Sequence, residues 1–228
     1  MTTLAWLRRD LRLHDHAVLA TACQSAAPVQ PIFVFDTEIL AHFPNPEDRR
    51  LSFLAATLCH MDAVLRKRGG GMLVLHGPAS KTVPKLADAL NAEHVICAED
   101  FEPSAIARDA VVKAALPSGS RFVQVLDQLL VHPKQMRKAD GTAYKVFSPF
   151  YKKTWRPQVG PETLAEFTVN DKGRYADVAA SAKAAAQAGL TVLDLSQGPA
   201  ALLEAMGYRY TADPIWTVDD VPARLERF

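Results

Sequence analysis

Short apolar runs, each followed by a stretch with helical spacing, recur through the first 130 residues, and this alternation constrains the fold more than any other feature of the chain. The runs are Leu4 to Leu7, Val29 to Phe35, Met72 to Leu75, His94 to Cys97 and Phe122 to Leu126. Between them, His16 to Ala26, Leu51 to Leu65, Lys81 to Ala92 and Ser104 to Leu116 read as helices. Strands that alternate with helices pair in parallel through right-handed crossovers. The pattern therefore predicts an α/β fold, a doubly wound five-stranded parallel sheet of order 3-2-1-4-5. With 228 residues, 49% of them hydrophobic, the chain can bury one ordinary domain and an appendage.

Such an order reverses between strands one and four, and ligands of open α/β sheets sit outside the carboxyl ends of the strands at that reversal. The loops that meet there carry Arg8, Arg9, Asp10 and Arg12 after the first strand and Glu99, Asp100 and Glu102 after the fourth. Like charges so close together call for cations, and Arg9 and Arg12 are the candidate partners. Asp100 or Glu102 can also cap the next helix, with Pro103 at its first position.

Gly69-Gly70-Gly71 suits a left-handed cap at the end of the long helix. Neither G-x-G-x-x-G nor G-x-x-x-x-G-K-[ST] occurs, so the standard dinucleotide and triphosphate cradles are absent. The seven histidines show no metal-ligand spacing, and no catalytic triad emerges. Cys23, Cys59 and Cys97 fall within apolar patterns and read as reduced core residues. No charged-then-apolar leader and no run of membrane-spanning length occur, which predicts a soluble, cytoplasmic protein without a membrane contact. A formal charge of +1 gives no general attraction to nucleic acid.

Beyond residue 130, two β-prone runs, Leu129 to Val131 and Tyr144 to Phe147, flank Asp140-Gly141 and predict a hairpin. From Ser148 to Arg156, aromatics interleave with Lys152, Lys153 and Arg156, the pattern of an amphipathic helix with snorkelling cations. Residues 157 to 198 have weak periodicity and read as a surface linker, with Ala184 to Ala186 in a short helix. Ala200 to Met206 predicts a short helix ending at Gly207, and Thr217 to Asp220 a helix start. Three parts follow: 1–130, the α/β domain; 131–198, hairpin, basic-aromatic helix and linker; 199–228, the beginning of something further.

The segment Trp6-Leu7-Arg8-Arg9-Asp10-Leu11-Arg12-Leu13-His14-Asp15 resembles the amino-terminal signature of the photolyase/cryptochrome family. Further matches follow in order: Phe35-Asp36 with Ile39-Leu40, Arg50 with Phe53-Leu54, Asp100 to Pro103 with Arg108-Asp109, and Tyr144 to Phe150 with Trp155. The resemblance is close over residues 3 to 156. It implies the Rossmann-like domain that, in the family, precedes a helical domain holding FAD and the groove for damaged DNA, with only the first residues of that second domain in 199–228.

What the resemblance implies for function is a pigment holder. The family's α/β domain often carries an antenna chromophore that passes excitation to FAD, a transfer between transition dipoles that needs no catalytic residue and no metal. Carried over residue by residue, the chromophore-binding positions are Arg9, Asp10, Phe35, Arg50, Phe53, Asp100, Phe101 and Glu102. The implied dye is 8-hydroxy-5-deazaflavin first, because Asp100 to Pro103 with Phe35 and Arg50 resemble its binding pattern, FMN second, and methenyltetrahydrofolate third, because Ser104 and Ala105 stand where folate-binding members place an Asn-Glu pair. The expected role is the antenna domain of a DNA photolyase, inactive in repair without the helical FAD domain. The alternatives are the same domain of a cryptochrome-type light receptor or a stand-alone nucleotide-binding α/β module. The apolar stripe Val221, Leu225 and Phe228 and the aromatics of 147–155 predict a weak homodimer.

Overall fold

Residues 1–211 are described by a computed structural model, and their strands alternate with helices as the sequence predicts. β1 (Thr2–Trp6), β2 (Val29–Asp36), β3 (Leu73–Gly77), β4 (Ala92–Ala98) and β5 (Arg121–Val125) are all parallel, and their spatial order is 5-4-1-2-3. Side chains of β1 alternate between two apolar cores, Ala5 with Leu7 on one face and Leu4 with Trp6 on the other. The first core is covered by α1 (Ala17–Gln24) and α3 (Arg49–Lys67), the second by α4 (Ala79–Ala89) and α5 (Pro103–Ala115). One further turn of helix, α2 (Thr37–Leu40), follows β2 directly. Burial on both faces explains why the strands read as continuous apolar runs.

Two expectations need correction. The sheet has six strands, because β6 (Thr191–Leu193) pairs antiparallel with β3 at its outer edge. The predicted hairpin is absent: Lys138 to Gly141 form a turn (Gly141 N–H to the Lys138 carbonyl, 2.9 Å), but neither flanking run becomes a strand. The β-prone residues there have no sheet to join, Leu129 and Leu130 stay largely exposed, and Phe147 enters a helix instead. The basic-aromatic stretch is helical throughout, as expected, with a π-helical middle: α6 (Phe147–Phe150), a π-helical stretch (Tyr151–Trp155) and α7 (Arg156–Gln158), in which Thr154 is buried, Phe150, Tyr151 and Trp155 are half-buried and Lys152, Lys153 and Arg156 are exposed. Phe147, Tyr151 and Trp155 stack there in a ladder, with ring centroids 5.7 and 5.6 Å apart.

The linker is integral to the domain. Arg174 and Ala176 flank Val29 in a parallel bridge, the Val29 N–H donating to the Arg174 carbonyl (2.7 Å) and the Ala176 N–H to the Val29 carbonyl (2.9 Å). Tyr175 lies on Gly70, where a Cβ would come within 2.6 Å of its ring, so close packing requires glycine there. Gly69, at φ +81°, supplies the left-handed cap predicted for the long helix. α8 (Val178–Gln187) buries Ala185 in the second core, and α9 (Gly198–Glu204) buries Leu202 and Leu203 in the first. Residues 199–211 therefore pack with the α/β domain, and the helix start at Thr217 and the stripe Val221, Leu225 and Phe228 lie outside the described residues.

Candidate functional site

The loop after β1 is pinned by its own charges. The Arg8 amide donates to Asp10 Oδ1 (2.8 Å), folding the chain back so that consecutive arginines diverge. Arg8 turns inward, where its guanidinium lies 4.9 Å from the Trp6 ring centre and donates to Asp109 Oδ1 at 2.7 Å and to the Ala98 carbonyl. Arg108 lies 5.3 Å from the same indole, and Gln124 donates to the other oxygen of Asp109 at 3.0 Å. A buried carboxylate thus offsets two guanidiniums held against one aromatic ring.

Arg9 turns outward and bridges to the loop after β4. Its Nε donates to Asp100 Oδ2 at 3.1 Å, and its Nη2 reaches Glu102 Oε2 at 2.8 Å. Asp100 is 7% exposed, and burial disfavours its charge, but the Glu102 amide and the Arg9 and Arg8 guanidiniums outweigh that and hold its carboxyl below the usual range. Neither acid caps α5 as expected: Glu102 occupies the cap position without a side-chain bond, while Asp100 Oδ1 accepts from the Glu102 amide at 3.2 Å. Pro103 does open the helix.

Beside the Arg9–Asp100 bridge, over the carboxyl ends of β1 and β2 and with Asp100 and Arg108 on its β4 side, lies a hollow of about 120 Å³ next to the switch point. Trp6, Val34, Ile39 and Ala79 form its apolar walls, and Arg9, Asp36 and Asp100 its charged rim. Of the residues predicted for the site, Arg9 and Asp100 meet there, with Glu102 holding Arg9 from outside. The others are placed elsewhere. Phe35 packs edge-on against Phe33 in the core at 2% exposure, and it is Phe33 that reaches the hollow. Arg50 pairs with Asp48 (2.7 Å) over the Phe43 ring, and Phe53 is 61% exposed; both lie on the outer side of α3. Phe101 turns toward His132 (5.4 Å, edge-on), and Asp10 is buried behind Arg8.

Asp10, His16 and Asp127 were not foreseen as a group, yet their ligand-type atoms lie within 4.8 Å of one another. Protein donors take most of their lone pairs, but Asp10 Oδ2 accepts no hydrogen bond. His16 caps α1, its Nδ1 accepting the Leu19 amide (3.3 Å), so the ring proton sits on Nε2, 3.4 Å from Asp10 Oδ2. Asp127 accepts from both Nη atoms of Arg12 (2.8 and 2.9 Å) and from the Ala17 amide (2.8 Å). Arg12 thus serves Asp127 and not the acids after β4. The arrangement is a clasp that holds the loop to the start of α1, with Asp10 Oδ2 and His16 Nε2 facing each other and neither hydrogen-bonded, and burial lowers the pKa of His16. Burial likewise pushes the Cys97 thiol up to about 12 and the Cys23 thiol to about 11, so both stay neutral, and all three cysteines are unpaired.

Asp109 and Asp127 are the partners that sequence reasoning missed. The sole signal for Asp109 was the Arg108-Asp109 dipeptide among the family-like matches. No described helix is long and apolar enough to cross a membrane.

Comparison with known proteins is consistent from every side. A deoxyribodipyrimidine photo-lyase from Synechococcus sp. is 37% identical over 163 residues, which are 71% of this chain and 33% of that protein. Among solved structures, a Synechocystis cryptochrome superposes with a TM-score of 0.62 at 23% identity, over 70% of this chain and 34% of the other. An archaeal photolyase from Sulfolobus tokodaii, which holds two FAD molecules, gives a TM-score of 0.61 at 24% identity, over 81% of this chain and 42% of the other. These likenesses place the fold, and the chain spans about a third of the length of the Synechococcus photo-lyase it matches. Because the DNA photolyase family profile matches residues 3–167, most of the chain and all five parallel strands, the protein belongs to the DNA photolyase family.

Proposed function

We propose that this chain is the antenna-chromophore domain of a photolyase-type protein, with the dye seated between β1 and β4. The observation that carries the reading is the meeting of Arg9 with Asp100 at the switch point of a sheet whose family is DNA photolyase. Apolar walls and a charged rim suit a flat conjugated ring with polar edges. The hollow, about 120 Å³, is smaller than the roughly 300 Å³ at which small-molecule sites begin, so a fused tricyclic dye enters only with the half-exposed Arg9 turned outward. Asp100, freed of that partner, then accepts from a donor on the dye, while Trp6 and Ile39 line its faces. The dye supplies light absorption; the protein fixes position and excludes water.

In the order 8-hydroxy-5-deazaflavin, FMN, methenyltetrahydrofolate, the first place rests on the likeness of Asp100 to Pro103 to a deazaflavin-binding pattern and the last on the missing Asn-Glu pair at Ser104 and Ala105. Titration of each dye, read from its absorption band, tests the order, and tighter binding of the folate reverses it. Asp100→Asn is expected to weaken the preferred dye about tenfold, the loss of one charge-assisted hydrogen bond. An unchanged affinity removes Asp100 from the site.

The remaining two thirds of the matched photo-lyase point to a larger protein in which a helical FAD-binding domain partners this one and handles damaged DNA. On its own, given FAD and dimer-containing DNA under blue light, the 228-residue chain is expected to leave the dimers intact. Light-dependent repair by this chain overturns that expectation. A second reading, a cryptochrome-type light receptor, is favoured by the superposition on the Synechocystis cryptochrome. The two part company in the rest of the protein.

A further inference from the structure

The roomier hollow is not the crevice. On the opposite side of β4, between β5, the outer face of α5 and the 3-10 turn Pro133–Met136, lies a second hollow of about 500 Å³. That volume falls within the range of sites for small organic ligands, roughly 300–1,000 Å³. Phe101 and Phe122 supply its apolar surface, and His132 stands edge-on to Phe101 at 5.4 Å.

The charges around it are unevenly matched. Asp100 is paired with Arg9 at 3.1 Å and Asp109 with Arg8 at 2.7 Å, while Glu99 is held by the His132 ring at 3.1 Å. The cations Lys113, Lys134 and Arg137 have no carboxylate within ion-pair distance among the described residues; Arg137 is steadied by the Gly141 carbonyl at 3.1 Å. Residues 132–158 hold seven Lys or Arg against one acid, in a chain whose formal charge is +1. Aromatic walls with uncompensated cations at the rim recognise a flat ring that carries an anionic group.

We propose that this hollow is a second ligand site, separate from the switch-point crevice, for a planar aromatic molecule bearing a phosphate. The ring lies against Phe101 and Phe122, and the phosphate reaches Lys134 and Arg137, with Lys113 on the far wall. This site does not depend on a dye occupying the crevice.

Equilibrium dialysis of the full chain with FMN, riboflavin and inorganic phosphate tests the proposal. FMN is expected to bind at least tenfold more tightly than riboflavin, which lacks the phosphate, and than phosphate, which lacks the ring. Ala110→Trp, which fills the hollow from α5, is expected to abolish this binding, and the surface change K134E/R137E to weaken it at least tenfold. Ile39→Trp, which fills the crevice instead, is expected to leave it unchanged. Circular dichroism confirms that each variant folds, and K134E/R137E, at two exposed side chains, serves if Ala110→Trp does not fold. FMN binding that survives Ala110→Trp and disappears with Ile39→Trp belongs to the crevice, which overturns this proposal and upholds the preceding one. Two FMN molecules per chain, each lost with its own variant, uphold both. No FMN binding at about 1 mM, an affinity of only about −4 kcal/mol, overturns the second site outright.

Discussion

Asp109 accepts from Arg8, Arg108 and Gln124 at 4% exposure, so its removal leaves the Arg8 guanidinium buried without its anion. Asp109→Ala is therefore expected to destabilise the fold by about 3 kcal/mol, read as a drop in the urea midpoint. A change below about 1 kcal/mol would mean that the Ala98 carbonyl and Trp6 suffice for Arg8. His16 gives a pH-dependent counterpart. Its folded pKa is lowered from 6.5 by burial, against the pull of Asp10, so near that pH the unfolded chain binds more protons than the folded one. Its contribution is present above pH 6.5 and is lost as pH falls through the folded pKa, so the urea midpoint should fall as pH drops from 8 to 5 and fall less in His16→Asn. Equal slopes in both proteins would exclude His16 as the cause. Arg9 and Asp100 were legible in the sequence because each stands at the end of a recognisable strand. The pairs of Arg8 with Asp109 and Arg12 with Asp127 were not, since 101 and 115 residues separate the partners and no local pattern records an ion pair across such a distance.

Elements follow the same division. β1 to β4 are buried on both faces and the edge strand β5 keeps Phe122, Val123 and Val125 half-buried, so each apolar run is long enough to read, and the helices between them keep their period. β6 is three residues long and half-exposed, too short to show a period of two, so residues 191–193 read as linker. The hairpin failed for the converse reason: Asp140-Gly141 does turn the chain, but β-prone side chains without a sheet beside them do not make strands. The linker's tight seat on the long helix carries its own prediction. A Cβ at residue 70 would stand 2.6 Å from Tyr175, so Gly70→Ala is expected to lift residues 174–176 from Val29 and cost about 1–3 kcal/mol. Faster hydrogen exchange at the Val29 and Ala176 amides would report the lifting, and unchanged exchange would show that Tyr175 can yield.

At the scale of the whole molecule, the segment 147–158 leaves Phe147, at the end of its aromatic ladder, 70% exposed, while Tyr151 and Trp155 are half-buried. Apolar rings so displayed favour contact with another surface. Sedimentation velocity is expected to show concentration-dependent self-association that Phe147→Lys reduces; a monomer at all concentrations would count against it. The opposite end of the sheet has been treated differently. β3 is the last parallel strand on its side, and Leu193, Val192 and Thr191 lie directly against Val74, Leu75 and His76. A chain cut at residue 167, where the family match stops, would strip that cover and leave a row of vacant amides and carbonyls along a strand rich in leucine and valine. Such a fragment would recruit its own kind edge to edge, so the late antiparallel strand works as a selvedge, keeping a parallel weave from unravelling into fibres.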